Sequence, residues 1–287
     1  MDHRYNMSSN LDEIGNDSII YNYKIVENEL IFENDRGRNC LDKSVNCEFS
    51  LECEAKDNSE NEMDCNLKKQ PFVLSDWIVV EDGLLLCKNF VTEEEERDLI
   101  EMIDSGEWSG NGTGSNPHLL RRLQQFGALY LTDKRVLLPS DAKIPQFCLP
   151  VKERLEKALK ALNLADELCT PFNYVVFNEY LPSQGIAPHT DAHIYGPVIC
   201  SLSLASDCIM SFYKVIDGCC DKENATFSIE LPRRSMLVMY GEIRSRFQHS
   251  ISKNLVDVTE DGREIERKRR ISVIFRTFNE ELIKMTL

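Results

Sequence analysis

Apolar and polar residues alternate with a period of two over most of the chain beyond residue 171. Successive side chains of a β-strand point to opposite faces, so this alternation predicts a series of strands. The predicted strands span residues 172–180, 198–204, 208–213, 227–231, 235–240, 247–251 and 270–278. Gly, Pro, Asp and Asn residues separate them, as expected for turns. Seven or eight short strands with such turns predict a double-sheet jelly roll.

The region before these strands contains helical patterns as well. At the start of this region, a short strand pair is predicted for residues 77–80 and 83–87. Thr92 and Glu95 have the spacing of a capping box, which predicts that a helix begins there. A second helix is predicted for residues 147–163, where apolar residues recur at the spacing of one buried helical face. The predicted fold class is therefore mainly β with flanking helices (α+β).

The first quarter of the chain has a different composition. Residues 1–18 and 33–72 are rich in Asn, Asp, Glu and Ser and contain few aromatic residues, which is typical of disorder. Residues 19–32 are apolar enough for either a hairpin or a docking strand. The sequence therefore predicts an acidic, largely disordered N-terminal segment, residues 1–72, and a folded domain, residues 73–282.

Two imidazoles and one carboxylate occur in a pattern that is typical of a metal site. His189 and Asp191 are two residues apart, and His249 follows on a later predicted strand. On an extended strand, residues i and i+2 point to the same face, so the first two can reach one ion together. Two His and one carboxylate are the ligands of non-heme Fe(II) oxygenases, which leave positions open for a co-substrate and O₂. His193 is interpreted as a residue at the rim of this site or behind it.

Two arginines follow the candidate metal ligands. Arg270 and Arg276 are six residues apart on a predicted strand and therefore share a face. Guanidinium groups bind carboxylates through paired hydrogen bonds, so two of them are suited to a dicarboxylate. The three candidate metal ligands and the pair Arg270 and Arg276 together predict a 2-oxoglutarate-dependent dioxygenase. The alternative, a half-buried antiparallel protein with core histidines, does not explain the order of these groups.

The same residues lie in segments that resemble the AlkB family of Fe(II)/2-oxoglutarate dioxygenases. These segments are NEYLPSQGIAPHTD at 178–191, LPRRSMLVM at 231–239, His249 and residues 270–276. Upstream, RRLQQFG at 121–127 is most similar to the eukaryotic AlkB homologues that act on wobble uridines of tRNA. The resemblance covers about residues 73–282. It implies a double-stranded β-helix core, and Fe(II), 2-oxoglutarate and O₂ as cofactor and co-substrates.

The resemblance also implies roles for individual residues. Arg270 is expected to bind the far carboxylate of 2-oxoglutarate. Asn178 and Tyr180 match the family's N-x-Y motif and are expected to hydrogen-bond the co-substrate. Ser272 shares a face with Arg270 and is expected to add a hydrogen bond. Arg276 is expected near the metal, where it orients the metal-binding carboxylate or the C1 carboxylate of 2-oxoglutarate.

The substrate is open to several hypotheses. The first is hydroxylation or demethylation of a nucleic-acid base, above all a tRNA wobble uridine side chain, with Arg121, Arg122 and Phe126 as candidate contacts. The chain ends soon after Arg276, so a separate tRNA methyltransferase is expected as a partner. The second is repair demethylation of an alkylated base that is flipped into a pocket under Phe126. Oxidation of a protein side chain and a non-catalytic binding module are the others, and the complete triad argues against the module.

The net charge of −15 argues against general electrostatic attraction to nucleic acid. Residues 1–70 contribute −8 of it, because they contain 16 acidic and 8 basic side chains. An RNA substrate would therefore have to contact local basic groups. The candidates are Arg121–Arg122, Arg233–Arg234 and the run from Arg263 to Arg270. The other interpretation of these clusters is an ordinary solvated surface.

Eleven cysteines occur without a C-x-x-C pair, which predicts free thiols in a reducing compartment. The N-terminus has no apolar targeting segment, and no apolar stretch approaches the length of a membrane span. From these features we expect a monomer that does not enter membranes and resides in the cytoplasm, the nucleus or both.

Overall fold

The computed structural model describes residues 21–26, 29–34, 76–134, 136–168, 171–216 and 219–278. The chain divides into two compact units, Met1–Met63 and Asp64–Leu287. In the first unit, β1 (Tyr21–Val26) and β2 (Glu29–Asn34) pair as an antiparallel hairpin. A hairpin was one of the two structures that the apolar stretch predicted. Apart from the end of β2, the segments predicted to be disordered lie outside the described residues.

The described part of the second unit is rich in strands, as the periodicity of two predicted. In chain order they are β3 (Trp77–Glu81), β4 (Leu84–Cys87), β5 (Leu123–Phe126), β6 (Ala128–Leu131), β7 (Val136–Pro139), β8 (Tyr174–Tyr180), β9 (Ile186–His189), β10 (Ile199–Leu204), β11 (Cys208–Lys214), β12 (Phe227–Leu231), β13 (Met236–Met239), β14 (Phe247–Ile251), β15 (Val256–Val258), β16 (Glu264–Glu266) and β17 (Arg270–Arg276). The helices are α1 (Glu93–Asp104), α2 (Leu149–Ala161), α3 (Ala165–Leu168) and α4 (Gly241–Arg246).

These strands form two main antiparallel sheets. The larger has the order β3-β4-β13-β10-β17-β8-β5, and the smaller has the order β12-β11-β14-β9. Apart from β3 with β4 and β11 with β12, neighbours in each sheet are distant in sequence, as expected for a double-sheet jelly roll. Apolar side chains from both sheets, including Ile199, Leu237, Phe212 and Ile251, form one buried cluster. The predicted fold class is confirmed.

The central strands β8, β10 and β13 of the larger sheet are buried on both faces. The face that points away from the smaller sheet is covered by helices, since Gln124 of β5 contacts α1 and Phe177 of β8 contacts the residues just before α2. In β8 the alternate residues Tyr174 and Val176 join the cluster between the sheets. Phe177 points to the other face, where its ring centroid lies 5.2 Å from that of Phe126 and 6.1 Å from that of Phe147, just before α2. A strand buried on both faces is apolar at nearly every position, as the YVVF of β8 shows.

The capping box at the start of α1 is present as predicted. Thr92 Oγ1 accepts from the Glu95 backbone N–H at 3.0 Å, and the Glu95 carboxylate accepts from the Thr92 N–H at 2.9 Å. The same carboxylate accepts from Arg154 Nη1 of α2 at 3.1 Å. Since Glu95 is 3% exposed, one buried carboxylate caps α1 and ties it to α2.

Several strands were not predicted from the sequence. β5, β6, β7, β9, β15 and β16 have three or four residues each, which is too short for an alternation to be recognised. The six described cysteines are free thiols, as predicted. No helix in the described ranges is long and apolar enough to cross a membrane.

Candidate metal and co-substrate site

The candidate site is a cavity of about 960 Å³ lined by residues of both sheets. On β8 and β17 alternate residues face this cavity, because successive side chains of a strand point to opposite faces. Arg270 is paired with Tyr180, and Ser272 is paired with Asn178. All four line the cavity together with Arg276. The pairing of two strands thus brings together the five residues that the sequence analysis connected with the co-substrate.

The smaller sheet contributes both candidate histidine ligands. His249 of β14 is paired with His189 of β9, and their ring centroids are 4.4 Å apart. Gly185, just before β9, allows the two segments to approach, because a Cβ at this position would lie 2.3 Å from the carbonyl oxygen of Ile251. A side chain at Gly185 would therefore force β9 away from β14 and separate the imidazoles.

Asp191 reaches the histidines from just beyond the end of a strand. It has no strand partner of its own, because β9 ends at His189. Just beyond it, Thr190 Oγ1 donates to the carbonyl oxygen of Phe247 at 3.0 Å. Asp191 Oδ2 lies 3.7 Å from His249 Nε2, and the ligand atoms of His189, Asp191 and His249 all lie within 4.8 Å of one another. The structure thus brings the predicted triad together by a different local route.

The ring orientation of His189 is suited to metal binding. Its Nδ1 lies 2.9 Å from the carbonyl oxygen of Ala187. A carbonyl can only accept, so Nδ1 carries the hydrogen and Nε2 keeps a free lone pair. Metal-binding histidines characteristically donate their other ring N–H to such a partner, which fixes the tautomer.

The electrostatics of the triad favour the protonation states that bind a cation. Burial alone would raise the pKa of Asp191, but Arg276 and the two imidazoles lower it to about 2. Burial, followed by the neighbouring His189, lowers the pKa of His249 to about 3. At neutral pH the Asp191 carboxylate is therefore ionised and the His249 imidazole is neutral. These are the forms that coordinate a metal ion.

Arg276 is held directly beside the triad. Its Nη2 donates to Asp191 Oδ1 in a buried ion pair, and its guanidinium carbon lies 4.5 Å from the ring centroid of Tyr195. The geometry therefore places Arg276 where it orients the Asp191 carboxylate, which is one of the two positions expected for it.

Arg270 is a buried cation with unused donors. It is 1% exposed, its Nη2 donates to Ser203 Oγ at 2.8 Å, and its guanidinium carbon lies 5.7 Å from the ring centroid of Tyr180. Its Nε and Nη1 are buried and have no hydrogen-bond partner among the described residues. A buried cation with unsatisfied N–H groups is costly unless an anion accepts from them. The donors of Arg270 therefore fit a carboxylate at this end of the cavity.

Arg121 is the candidate substrate residue that the structure places in the cavity. Its Nε donates to Asn178 Oδ1 at 3.2 Å. Because arginine can only donate, this bond assigns the amide oxygen of Asn178 to Arg121 and leaves the amide NH₂ to other acceptors. Asn178 thereby becomes a donor within the cavity, as expected of a residue that binds a carboxylate.

Phe126 and Arg122, the other two candidate substrate residues, are not brought to the cavity. Phe126 lies on the helix-covered face of the larger sheet, where it packs against Phe177. Arg122 donates from Nε and Nη2 to Glu179 at 2.6 and 2.8 Å, and its guanidinium lies 4.9 Å from the ring centroid of Trp108. Arg122 therefore stabilises a carboxylate that is 1% exposed.

The basic run after residue 262 is also occupied by ion pairs. Arg263 pairs with Glu230, Arg267 with Asp257, Lys268 with Glu266, and Arg269 with both Asp104 and Glu179. Arg233 and Arg234 pair with Glu96 and Glu93. Arg267 and Arg269 thus pair with the buried carboxylates of Asp257 and Glu179. Arg263, Lys268 and Arg233 are instead at the solvated surface, with 51%, 69% and 51% of their side chains exposed.

Several residues around the site were missed by the sequence analysis. Ser203 and Tyr195 contact the two arginines, and Arg244 donates to backbone carbonyls beside Asp191. They come from a separate strand, loop and helix, so no local pattern joins them to the triad. His193 is exposed and is not among the residues that line the cavity, so its position at the rim or behind the site stays a prediction.

Comparison with known proteins identifies the family. The profile of the 2OG-Fe(II) oxygenase superfamily matches residues 83–276. The chain belongs to this superfamily. The matched segment contains the triad, the co-substrate residues and, apart from β3, both main sheets.

Individual relatives support the resemblance to the AlkB family. A mouse protein, tRNA (carboxymethyluridine(34)-5-O)-methyltransferase ALKBH8, is 32% identical over 184 residues, which are 62% of this chain and 25% of the relative. The Arabidopsis thaliana alkylated DNA repair protein ALKBH8 homolog is 31% identical over 223 residues, 68% of this chain and 58% of the relative. The chain therefore spans about a quarter of one relative and 58% of the other. The solved structure of OsALKBH1 shares the fold with a TM-score of 0.53 at 16% identity, over 70% of this chain and 99% of that chain.

The residues of this chain fit the groups that the superfamily uses, which are Fe(II), 2-oxoglutarate and O₂. His189, Asp191 and His249 would hold the iron, since two imidazoles and one carboxylate are its ligand set in such oxygenases. Arg270, with its unused donors, would bind the far carboxylate of 2-oxoglutarate. When bound, these groups supply the oxidising power: 2-oxoglutarate and O₂ yield succinate and CO₂ while one C–H bond is oxidised. The chain thus contains a 2OG-Fe(II) oxygenase domain with candidate residues for both the iron and the co-substrate.

Proposed function

We propose that this dioxygenase oxidises the side chain of a modified uridine at the wobble position of tRNA. The observation that carries the proposal is a cationic cavity in an acidic protein. The chain has a net charge of −15. Among the described residues that line the cavity, Asp191 is the only carboxylate, whereas Arg121, Lys253, Arg270 and Arg276 are cationic.

The four cavity cations divide into two groups by depth. Arg270 is buried and Arg276 has 12% of its side chain exposed, and both belong to the co-substrate and metal side. Lys253 is exposed and Arg121 is half-buried. Asp191 is already paired with Arg276. The positive charge of Arg121 and Lys253 is therefore available to a substrate, and it selects an anionic one.

Arg121 and Lys253 are on neighbouring parts of the rim. Gln184 Nε2 donates to the carbonyl oxygen of Leu120 at 3.2 Å. Arg267 donates to the carbonyl oxygens of both Gln184 and Ser252 at 3.3 Å. These contacts join the segment before Arg121 to the segment before Lys253. A phosphodiester next to the target nucleotide matches two such cations, and Leu120, which is 74% exposed, offers apolar surface beside them.

The names of the relatives favour a nucleic-acid substrate and specifically tRNA. The mouse relative is named for a methyltransferase of carboxymethyluridine(34) in tRNA. In our proposal the present chain performs the oxidation of such a side chain, and a separate tRNA methyltransferase forms the methyl ester. We further propose that it acts as a monomer in the cytoplasm, the nucleus or both.

Repair demethylation of an alkylated base is the second candidate. It is favoured by the name of a zebrafish relative, probable RNA/DNA demethylase ALKBH6, which is 24% identical over 234 residues. The aromatic roof expected from Phe126 is absent from the cavity, because that side chain packs against Phe177. The wobble uridine therefore remains the better supported substrate.

Mass spectrometry of tRNA nucleosides from cells that lack the protein tests the proposal. We expect one hydroxylated uridine derivative to disappear and its unhydroxylated precursor to accumulate. Wild-type protein with Fe(II) and 2-oxoglutarate should restore the product on that tRNA in vitro, and the Asp191→Ala variant should not. Accumulation of N-methylated bases would instead support repair, and unchanged RNA would redirect the search to a protein substrate.

Neutralising the rim cations should weaken tRNA binding in a salt-dependent way. We expect Arg121→Gln and Lys253→Gln each to raise the Kd for tRNA at low salt. Each should also flatten the plot of log K against log salt concentration by about one unit, because each phosphate contact releases about one counterion. Lys222→Gln is the matched control, since Lys222 is exposed and lies outside the cavity lining. A salt slope equal to that of the wild type in both rim variants would contradict the assignment.

A further inference from the structure

The segment that begins at Asp191 is held by one buried arginine. Arg244 is 7% exposed, and its Nη1 donates to the carbonyl oxygen of Asp191 at 3.0 Å. Its Nη2 donates to the carbonyl oxygens of Ala192 at 2.9 Å and Tyr195 at 3.3 Å. Three carbonyls of one turn thus converge on a single guanidinium group.

Arg244 lies in the segment that leads directly into β14, the strand that carries His249. Arg244 lies in α4, which ends at Arg246, and β14 begins at Phe247. Thr190 Oγ1 contacts the carbonyl oxygen of the same Phe247 at 3.0 Å. The turn with Asp191 is therefore tied at two places to the segment that presents His249.

These ties matter because strand pairing does not fix Asp191. β9 ends at His189, and its described pairs with β14 are His249 with His189 and Ile251 with Ile186. Arg276 contacts the carboxylate of Asp191, whereas Arg244 contacts its backbone. Arg276 thus orients the side chain of Asp191, and Arg244 fixes the main chain of the same residue.

We infer that Arg244 is a positioning residue that sets the distance between Asp191 and His249 and thereby the affinity of the site for its metal. A planar fork of five N–H donors can reach three carbonyl oxygens at once, and the single ammonium of lysine cannot hold the same geometry. Groups behind metal ligands typically change metal affinity by about 10- to 100-fold when they are replaced.

The test is metal binding by full-length Arg244→Lys and Arg244→Met proteins with Co(II) as the probe. Co(II) absorbs visible light in a way that reports its coordination geometry. We expect both variants to raise the Kd for Co(II) by about 10- to 100-fold and to alter its spectrum. Arg246→Lys is the matched control, because Arg246 is in the same helix, is 67% exposed at its side chain and pairs with Glu242. It should bind Co(II) as the wild type does.

A second readout separates positioning from a general loss of structure. If Arg244 acts through the metal ligands, excess Fe(II) should restore much of the 2-oxoglutarate turnover of Arg244→Lys. Wild-type Kd and spectrum in folded Arg244 variants would overturn the inference. If these variants do not fold, Thr190→Val is the variant to test. It removes the hydrogen bond from Thr190 to the carbonyl oxygen of Phe247 with almost no change in side-chain volume. A raised Kd for Co(II) in Thr190→Val supports the inference, and an unchanged Kd overturns it.

Discussion

Alanine at His189, Asp191 or His249 is expected to abolish the conversion of 2-oxoglutarate to succinate. Each substitution removes one of three ligand groups whose atoms lie within 4.8 Å of one another. No other described His, Cys, Asp or Glu forms such a group of three with them. The loss should exceed the roughly 100-fold that groups behind metal ligands can contribute, because a ligand itself is removed.

Succinate formation without a substrate is the appropriate measurement, because it does not depend on the identity of the RNA. His193→Ala is the matched control: His193 is exposed, lies two residues from Asp191 and does not line the cavity. It should retain wild-type turnover. Succinate production that persists in all three triad variants would contradict the proposed iron site.

The fold could be predicted where the sequence pattern was long enough. β8, β11, β12 and β17 have five to seven residues each, which is long enough for a strand pattern to be recognised. β9 has four residues, two of which are Ala187 and Pro188, and it was not recognised. Strand order could not be derived either, because β17 pairs with β8 and β10 across long stretches of sequence.

The residues of the site were easier to predict than their surroundings. The spacing of His189 and Asp191 indicated one ion even though β9 ends at His189 and does not include Asp191. Ion pairing was not predictable. Glu179 is 57 residues from Arg122, and Asp104 is 165 residues from Arg269, so only the tertiary structure shows that these arginines are already neutralised.

Phe126 shows that moving by one residue along a strand changes the face of the sheet on which a side chain lies. Gln125 lines the cavity, and the next residue along β5 points to the helix-covered face. Because side chains of a strand alternate, a motif match alone does not say which of two neighbours faces a substrate. The face of β5 is fixed by its pairing with β8, in which Phe126 is opposite Val175.

Lysine in place of Arg270 is expected to raise the KM for 2-oxoglutarate by about 10- to 100-fold. The structure leaves Nε and Nη1 of Arg270 buried and without partners in the described part of the chain. A lysine keeps the positive charge but loses the planar fork that binds a carboxylate through two hydrogen bonds. One hydrogen bond to a charged group contributes about 1.5–3 kcal/mol, which corresponds to this range of affinity.

The dependence of succinate formation on 2-oxoglutarate concentration measures the effect of Arg270→Lys, and the Tm shows whether the fold is retained. Arg263→Lys is the matched control, because Arg263 pairs with Glu230 at the surface, with 51% of its side chain exposed. This control should keep the wild-type KM. If Arg270→Lys also kept the wild-type KM, Arg270 would have a structural role through its hydrogen bond to Ser203 and its contact with the Tyr180 ring. The co-substrate carboxylate would then have to bind elsewhere. A raised KM with an unchanged Tm would instead assign the free donors of Arg270 to 2-oxoglutarate, since a purely structural arginine affects stability before it affects co-substrate affinity.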